Sequence, residues 1–337
     1  MLRLLEFSCV QYSIILLEVY FDIMFGSHLS IAGGMERALQ RALNLKLDCV
    51  QVFTKNQRQW KTKPLSQTQI DLWSAYLKEL GWLNTNRVVS HNSYLVNMAS
   101  PDRVLRKKSI CLQQDELERC EVLGIPLCVA HPGARLGVPR ERSETNNLGE
   151  LPTKDELNGL SRIVKSINEI HNNLPGYKSK ICLETTVGSG TNLGYDFQHL
   201  GWIRENIQEP GRLNFCFDTC HVTASGYDMT TKNRATAVLE EFNYFAGLEN
   251  IAVFHFNDSV GEIGSRTDRH AHIGQGNCGL SCFRTILEES IFFSSTVRLF
   301  LHNLTFFSTL FFKPLIASIT KPFAFLISKS NLVLHSL

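Results

Sequence analysis

From Ile23 onward the chain alternates short runs that are apolar throughout with longer stretches whose apolar residues recur at helical spacing. A run without polar alternation suits a strand covered on both faces, and strands separated by amphipathic helices call for βα units and a parallel sheet. Seven strands are predicted, at 23–28, 49–53, 87–91, 126–131, 180–184, 213–218 and 251–256. Between them, residues 66–80 place Ile70, Trp73, Tyr76, Leu77 and Leu80 on one helical stripe, and 154–171 does the same with Leu157, Leu160, Ile163, Ile167 and Ile170. These stripes are core faces that pack on a sheet and carry no chemistry. A chain of 337 residues, 44% hydrophobic and 20% charged, buries enough apolar surface for one barrel-type domain or two smaller ones, so disorder is not its default state.

The strand ends carry the functional signal. Four predicted strands stop on a metal-capable side chain: His91 in VVSHNSYL, His131 in CVAHPGA, Glu184 in ICLETT and Asp218 in FCFDTCH. His255 in AVFHFND holds the same place near the end of the seventh. In a parallel α/β barrel the C-terminal strand ends meet at one mouth, so these distant residues converge. A lone histidine on an apolar strand is an ordinary hydrogen-bonded core residue, but core packing gives no reason for such residues to recur on five strands. Two local groups extend the set. Asp218 and His221 share DTCH, and Asp268 and His270 share DRH, where a spacing of two points both side chains the same way on extended backbone. Nitrogen and oxygen donors of this kind suit zinc or manganese better than magnesium, which keeps its waters.

The ten cysteines form no CxxC pair, and the Cys216/Cys220 and Cys278/Cys282 spacings are poor for a zinc knuckle, so reduced thiols inside a cell are expected. Charge is silent on nucleic acid. The net +2 becomes −2 once the four bases after Glu289 (Arg298, Lys313, Lys321 and Lys329) are set aside, so any phosphate-binding surface must be local. Residues 1–22 read as a divergent extension without the pattern of a secretory signal. Residues 290–337, rich in Phe, Leu and Ser and free of acids, read as a divergent tail foreign to the upstream domain. Its charges and prolines argue against a membrane span, and no stable membrane partner is expected.

The motifs FGSHLSIAGG, FTKNQRQW, SHNSYLVN, AHPGA, LETTVGSGTNLG, FDTCH, HFNDS and GSRTDRHAHIGQGN, in that order over residues 24–289, resemble the endonuclease IV family of abasic-site endonucleases, AP endonuclease family 2. The resemblance implies an α/β fold, a xylose-isomerase-like (β/α)8 TIM barrel spanning 23–289 with its last βα unit atypical or incomplete. It implies three zinc ions, with manganese as an alternative at one site. Glu184 would bridge two ions that also take His91, His131, Asp218 and His255, while His221, Asp268 and His270 hold the third. It implies a monomer acting on double-stranded DNA that contains abasic sites, cutting 5′ to the lesion in base excision repair. Arg58, Tyr94 and Leu95 match the loop residues that enter the duplex, with Lys55, Asn56 and Trp60 beside them. The cellular address would be the nucleus or mitochondrion in a eukaryote and the cytoplasm in a bacterium.

One departure stands out. The family places a ninth ligand, a glutamate, at the end of strand eight; ungapped counting from His270 reaches Phe300 in VRLFLHN, and no Asp or Glu follows Glu289. VRLFLHN is apolar enough to form the strand, with His302 or Asn303 as a substitute donor, but the barrel is expected to close poorly and the activity to be impaired. Two other readings compete: a sugar-phosphate isomerase or epimerase of the related barrel group, and a non-catalytic binder of abasic DNA.

Overall fold

Eight parallel strands close into a barrel in the computed structural model, which describes residues 23–289 and 297–301. The strands are β1 (Ile23–His28), β2 (Cys49–Val52), β3 (Val88–His91), β4 (Leu127–Ala130), β5 (Lys180–Glu184), β6 (Leu213–Asp218), β7 (Ile251–His255) and β10 (Val297–Leu301). A two-stranded antiparallel ribbon, β8 (Asp258–Ser259) and β9 (His270–Ala271), stands apart from the barrel sheet. The predicted strands all form, trimmed by a residue at some ends, so that His131 lies just past β4 and His255 is the last residue of β7.

The closing strand comes from VRLFLHN, whose apolar character suits it to the role. Residues 297–301, within the segment read as a divergent tail, complete the barrel, pairing with β1 from Ile23↔Val297 to Ser27↔Leu301 and with β7 from Arg298↔Val253 to Phe300↔His255, so the expected poor closure is not what the strand pairing shows. Apolar character is what a strand between two neighbours needs, and this segment has it. Its one charge, Arg298, is buried and donates to the carbonyls of Asn86 and Ala252, so the guanidinium is not left without acceptors. Residues 1–22, the tail beyond 301 and the suggested donors His302 and Asn303 lie outside the described residues.

The helices form where the sequence stripes place them. Gln67–Glu79 is started by a capping box between Ser66 and Gln69, and Lys154–Asn173 by one between Thr153 and Glu156. Each turns most of its stripe inward: Trp73 and Leu77 on the first and Leu160, Ile163, Ile167 and Ile170 on the second are buried, while Ile70, Tyr76 and Leu80 are half-buried and Leu157, at the edge of its stripe, is exposed. Among the described residues, no helix is long and apolar enough to cross a membrane.

Inside the barrel, side chains alternate by two along each strand, which stacks the interior in layers. One core cluster holds Val89, Val129, Cys182, Cys216 and Val253. Two residues further along the same strands come His91, His131, Glu184, Asp218 and His255. The apolar layer is thus the floor on which the polar mouth is built. Gly26 shows how tightly β1 and β2 pack there: a Cβ at this position would lie 2.4 Å from the Cys49 carbonyl oxygen.

Candidate metal centre

Glu184 is the hub of the mouth. Its carboxylate is buried and meets four imidazoles from four other segments. Oε2 lies 3.3 Å from His91 Nε2 and 3.0 Å from His131 Nε2; Oε1 lies 2.7 Å from His255 Nδ1 and 3.5 Å from His221 Nδ1. Asp218 continues the cluster. Its Oδ2 is 3.6 Å from His255 Nδ1 and 4.0 Å from His270 Nε2, and Asp268 Oδ1 is 3.3 Å from both His221 Nε2 and His270 Nε2. All eight predicted ligands therefore stand in one connected group.

Local structure fixes these side chains. Asp218 ends β6 and begins the short helix Thr219–Ser225, its Oδ1 accepting the His221 N–H at 2.9 Å, so one residue serves as strand end, helix cap and site carboxylate. The His221 ring is tied through Nδ1 to the Thr185 carbonyl oxygen at 2.8 Å, and the His91 ring through Nδ1 to the Asn92 carbonyl oxygen at 2.8 Å. Both leave Nε2 aimed at a carboxylate. Asn257 Nδ2 donates to Asp218 Oδ2 at 2.6 Å, and the Asp218 N–H donates to Thr185 Oγ1 at 2.9 Å.

The ribbon bearing Asp268 and His270 is held from two sides. The buried Asp258 carboxylate accepts the backbone N–H groups of Ser259, Gly274, Gly276 and Cys278 at 2.8–3.0 Å. Gly276 is required at this cage, since a Cβ would lie 2.4 Å from the Ser259 carbonyl oxygen. On the other side Arg266, at φ 54°, donates to the Asn146 carbonyl oxygen at 2.6 Å and to Asn147 Oδ1 at 2.8 Å. A non-glycine residue keeps that left-handed backbone only where its surroundings hold it.

Burial works against every charge here, and the neighbours overrule it. Burial alone would raise the Glu184 carboxyl, yet His255 and His131 hold it well below the ordinary carboxylate range. For Asp218 the same contest, with His221 as the main opposing charge, ends at about 2. Burial disfavours charged imidazoles, but Asp218, Asp268 and Glu184 lift His221 to about 10, and Cys216 and Glu184 raise His255 well above its ordinary value. Hydrogen bonds from His221 and His270 keep Asp268 far below the usual range. The carboxylates of the mouth therefore favour positive charge beside them, and in the free chain His221 and His255 supply it.

These residues fit a metal. Three groups, His91–His131–Glu184, Glu184–Cys216–His255 and Asp218–His221–His270, each place ligand atoms within 4.8 Å of one another. Rings anchored by one nitrogen to a backbone carbonyl, with the other facing the site, are the usual supporting arrangement for metal-ligating histidine.

Sequence reading missed several members. Gln51 joins two rings, its Nε2 contacting His28 Nδ1 at 3.0 Å and its Oε1 accepting from His255 Nε2 at 2.9 Å. His28 ends β1 as the other histidines end their strands, a signal present in FGSHLSI. Cys216 carried no signal beyond its place two residues before Asp218. Among its described side chains β10 brings no donor to the cluster: buried Phe300 lies opposite His255 in register, ring centroids 6.4 Å apart and nearly edge-on.

Beside the cluster, two loops carry the predicted DNA contacts. Tyr94 is 61% exposed, its ring 5.7 Å from that of His91 and 6.0 Å from that of His131. Leu95 next to it is half-buried, while Asn56, Arg58 and Trp60 are exposed. Asn56 Oδ1 accepts the Arg58 N–H at 2.9 Å, and Ser93 Oγ donates to the Gln57 carbonyl oxygen at 2.5 Å, linking the loops. Lys55 is a correction: it turns inward, buried and paired with Asp115 and Glu116, so it does not flank the exposed loop residues.

Comparison with known proteins agrees with this geometry. A family model for xylose isomerase-like TIM barrels matches residues 39–296. A protein of Chloroflexus aggregans named "Probable endonuclease 4" is 41% identical over 268 residues, 80% of this chain and 87% of that protein. Among solved structures, endonuclease IV from Thermus thermophilus is similar at 28% identity and a TM-score of 0.71, covering 89% of this chain and 99% of that one. A D-tagatose 3-epimerase-like protein, at 19% identity, a TM-score of 0.65 and coverage of 89% and 99%, shares the fold alone. With eight strand-end and loop donors in one mouth and the match running through nearly all of the described barrel, the chain belongs to the endonuclease IV family of xylose isomerase-like TIM barrels.

Proposed function

We propose that the chain is a zinc-dependent DNA-(apurinic or apyrimidinic site) endonuclease of base excision repair. It hydrolyses the phosphodiester 5′ to an abasic site and leaves a 3′-hydroxyl. The observation that carries this reading is the buried Glu184 carboxylate shared by four imidazoles at the barrel mouth, beside an exposed Tyr94.

In this reading His91, His131 and Glu184 hold one zinc ion, Glu184, Asp218 and His255 a second, and His221, Asp268 and His270 a third. Bound zinc supplies Lewis acidity towards phosphate oxygens and lowers the pKa of water towards about 7. The chain supplies the rest. Glu184 holds the two imidazole pairs at one spacing, and Asn257 and Thr185 hold Asp218 in place. Arg58, Tyr94 and Leu95 enter the duplex and occupy the gap at the lesion, with Asn56 and Trp60 alongside. Turning a nucleotide out costs least where the base is already gone, so recognition is of deformability more than of sequence. The partner is double-stranded DNA bearing abasic sites, bound by a monomer inside the cell; the relatives compared are bacterial, which favours the cytoplasm.

An abasic-site duplex incubated with the full chain and zinc tests this. Incision 5′ to the lesion, lost in His131→Ala, is expected; incision that survives His131→Ala overturns the reading. Phe300 on β10, where a glutamate would complete the donor set, favours a second reading, a binder of abasic DNA without catalysis. Tight binding of that duplex with no incision at any zinc concentration would establish it.

A further inference from the structure

Cys216 was not among the residues expected to act. It is fully buried on β6, directly beside Glu184 in the β5–β6 register, and faces the same way as Asp218 two residues on. Among the described cysteines it is the one grouped with two other metal-type donors, its Sγ and the ligand atoms of Glu184 and His255 all lying within 4.8 Å of one another. Opposite this group β10 contributes the Phe300 ring, and no acidic residue follows Glu289 in the chain.

We propose that Cys216 is a metal ligand, its thiolate completing the coordination of the ion held by Glu184 and His255 where Phe300 withholds a carboxylate. This rests on the metal-dependent reading above. Zinc bonds sulfur at about 2.3 Å and nitrogen or oxygen at about 2.0–2.2 Å, so donors sharing an ion stand roughly 3.5–4 Å apart. From the 4.8 Å limit, side-chain movements totalling about 1 Å bring the three donors to that value. Coordination exchanges the S–H proton for the ion and releases it to solvent, with no change of oxidation state. A thiolate also sets the metal: soft sulfur favours zinc and disfavours manganese and magnesium, so this position takes zinc.

The test uses the full chain stripped of metal and loaded with cobalt(II), which adopts zinc-like tetrahedral geometry. Visible d–d bands report that an ion is held; a near-ultraviolet sulfur-to-cobalt charge-transfer band reports a thiolate ligand. Both are expected in the parent chain. Cys216→Ser should abolish the charge-transfer band, keep visible bands, and weaken zinc binding at one site about 10- to 100-fold. Visible bands without charge transfer in the parent, or charge transfer unchanged in Cys216→Ser, overturn the role of Cys216 and leave the metal-dependent reading standing. Absence of visible bands removes both. Should Cys216→Ser not fold, Phe300→Glu carries the test: a carboxylate there competes with the thiolate and the charge-transfer band falls, whereas an undiminished band overturns the proposal.

Discussion

Five segments of the barrel mouth and the strand that closes it follow the same backbone rule and reach opposite chemistry. His91, His131, Glu184, Asp218 and His255 each stand two residues beyond a buried apolar or thiol residue, and each faces the central cluster. On β10 the residue two beyond Arg298 is Phe300, in register with His255 and packed into the apolar core. Closure of the sheet and construction of the site are therefore separable. The barrel asks only that a strand be apolar and in register, and 297–301 meets that condition; the site asks for one particular side chain per strand. A segment that meets the first demand and fails the second keeps the fold and changes the set of polar groups at the mouth.

The largest effect expected on the donor-bearing side comes from Glu184→Gln, which removes the charge shared by four imidazoles. Loss of metal-assisted charge stabilisation worth several kcal/mol corresponds to roughly a thousandfold or greater fall in kcat/KM for an abasic duplex. Metal content measured on the same preparation should fall with it. Retention of both would mean that the donors of the five segments do not act together, and the contrast with β10 would lose its meaning.

Phe300→Glu attacks the contrast from the other side. The added carboxylate faces His255 across the β7–β10 register and should raise incision and zinc affinity about 10- to 100-fold. Without metal the same change removes a buried aromatic ring and leaves an acid in the core, at a cost of about 3–5 kcal/mol or more. Melting temperatures with and without zinc should therefore lie further apart in the variant than in the parent. An equal gap would show that the β10 position does not reach the ion.

Asn257→Ala is a milder intervention, aimed at support of a donor. Asn257 donates to Asp218 at 2.6 Å, and its loss should weaken zinc binding about tenfold while leaving the fold intact. Isothermal titration of the metal-free variant measures the change. An unaltered affinity would show that the cap on His221 is enough to hold Asp218.

Much of this was legible in the chain. Uninterrupted apolar runs gave the strands, and donor residues recurring at their ends gave the mouth, because side-chain alternation and the convergence of parallel strands are fixed by backbone geometry. Gln51 was not legible: an amide inside an apolar strand carries no chemical signature until His28 and His255 are seen on either side of it. Lys55 was misread because a lysine in a polar loop gives no sign that Asp115 and Glu116, some sixty residues on, turn it inward. The closing strand was legible in type but not in consequence, since apolarity that marks a segment as foreign to the site also suits it to the sheet.

The smallest effect is a pH slope, and it separates the donor cluster from the apolar strand in one measurement. In the metal-free chain His221 is raised from 6.5 to about 10, mainly by Asp218 against the opposing effect of burial. Between those values the folded chain keeps a proton that the unfolded chain has released, so this stabilisation is complete below pH 6.5 and is lost as pH rises through 10. His255 moves in the same direction. Zinc reverses the dependence, because its ligands bind as neutral imidazoles and compete less with protons as pH rises. Melting temperatures of chelator-treated and zinc-saturated protein should therefore diverge by a few degrees per pH unit from about pH 6.5 upward, at roughly 1.4 kcal/mol per proton per unit and 2–4 °C per kcal/mol. In Phe300→Glu the new carboxylate beside His255 should hold that imidazolium more firmly and steepen the metal-free slope. A flat metal-free slope in the parent would mean that His221 and His255 are not held protonated by the carboxylates around them, and that the contrast with β10 is one of shape alone.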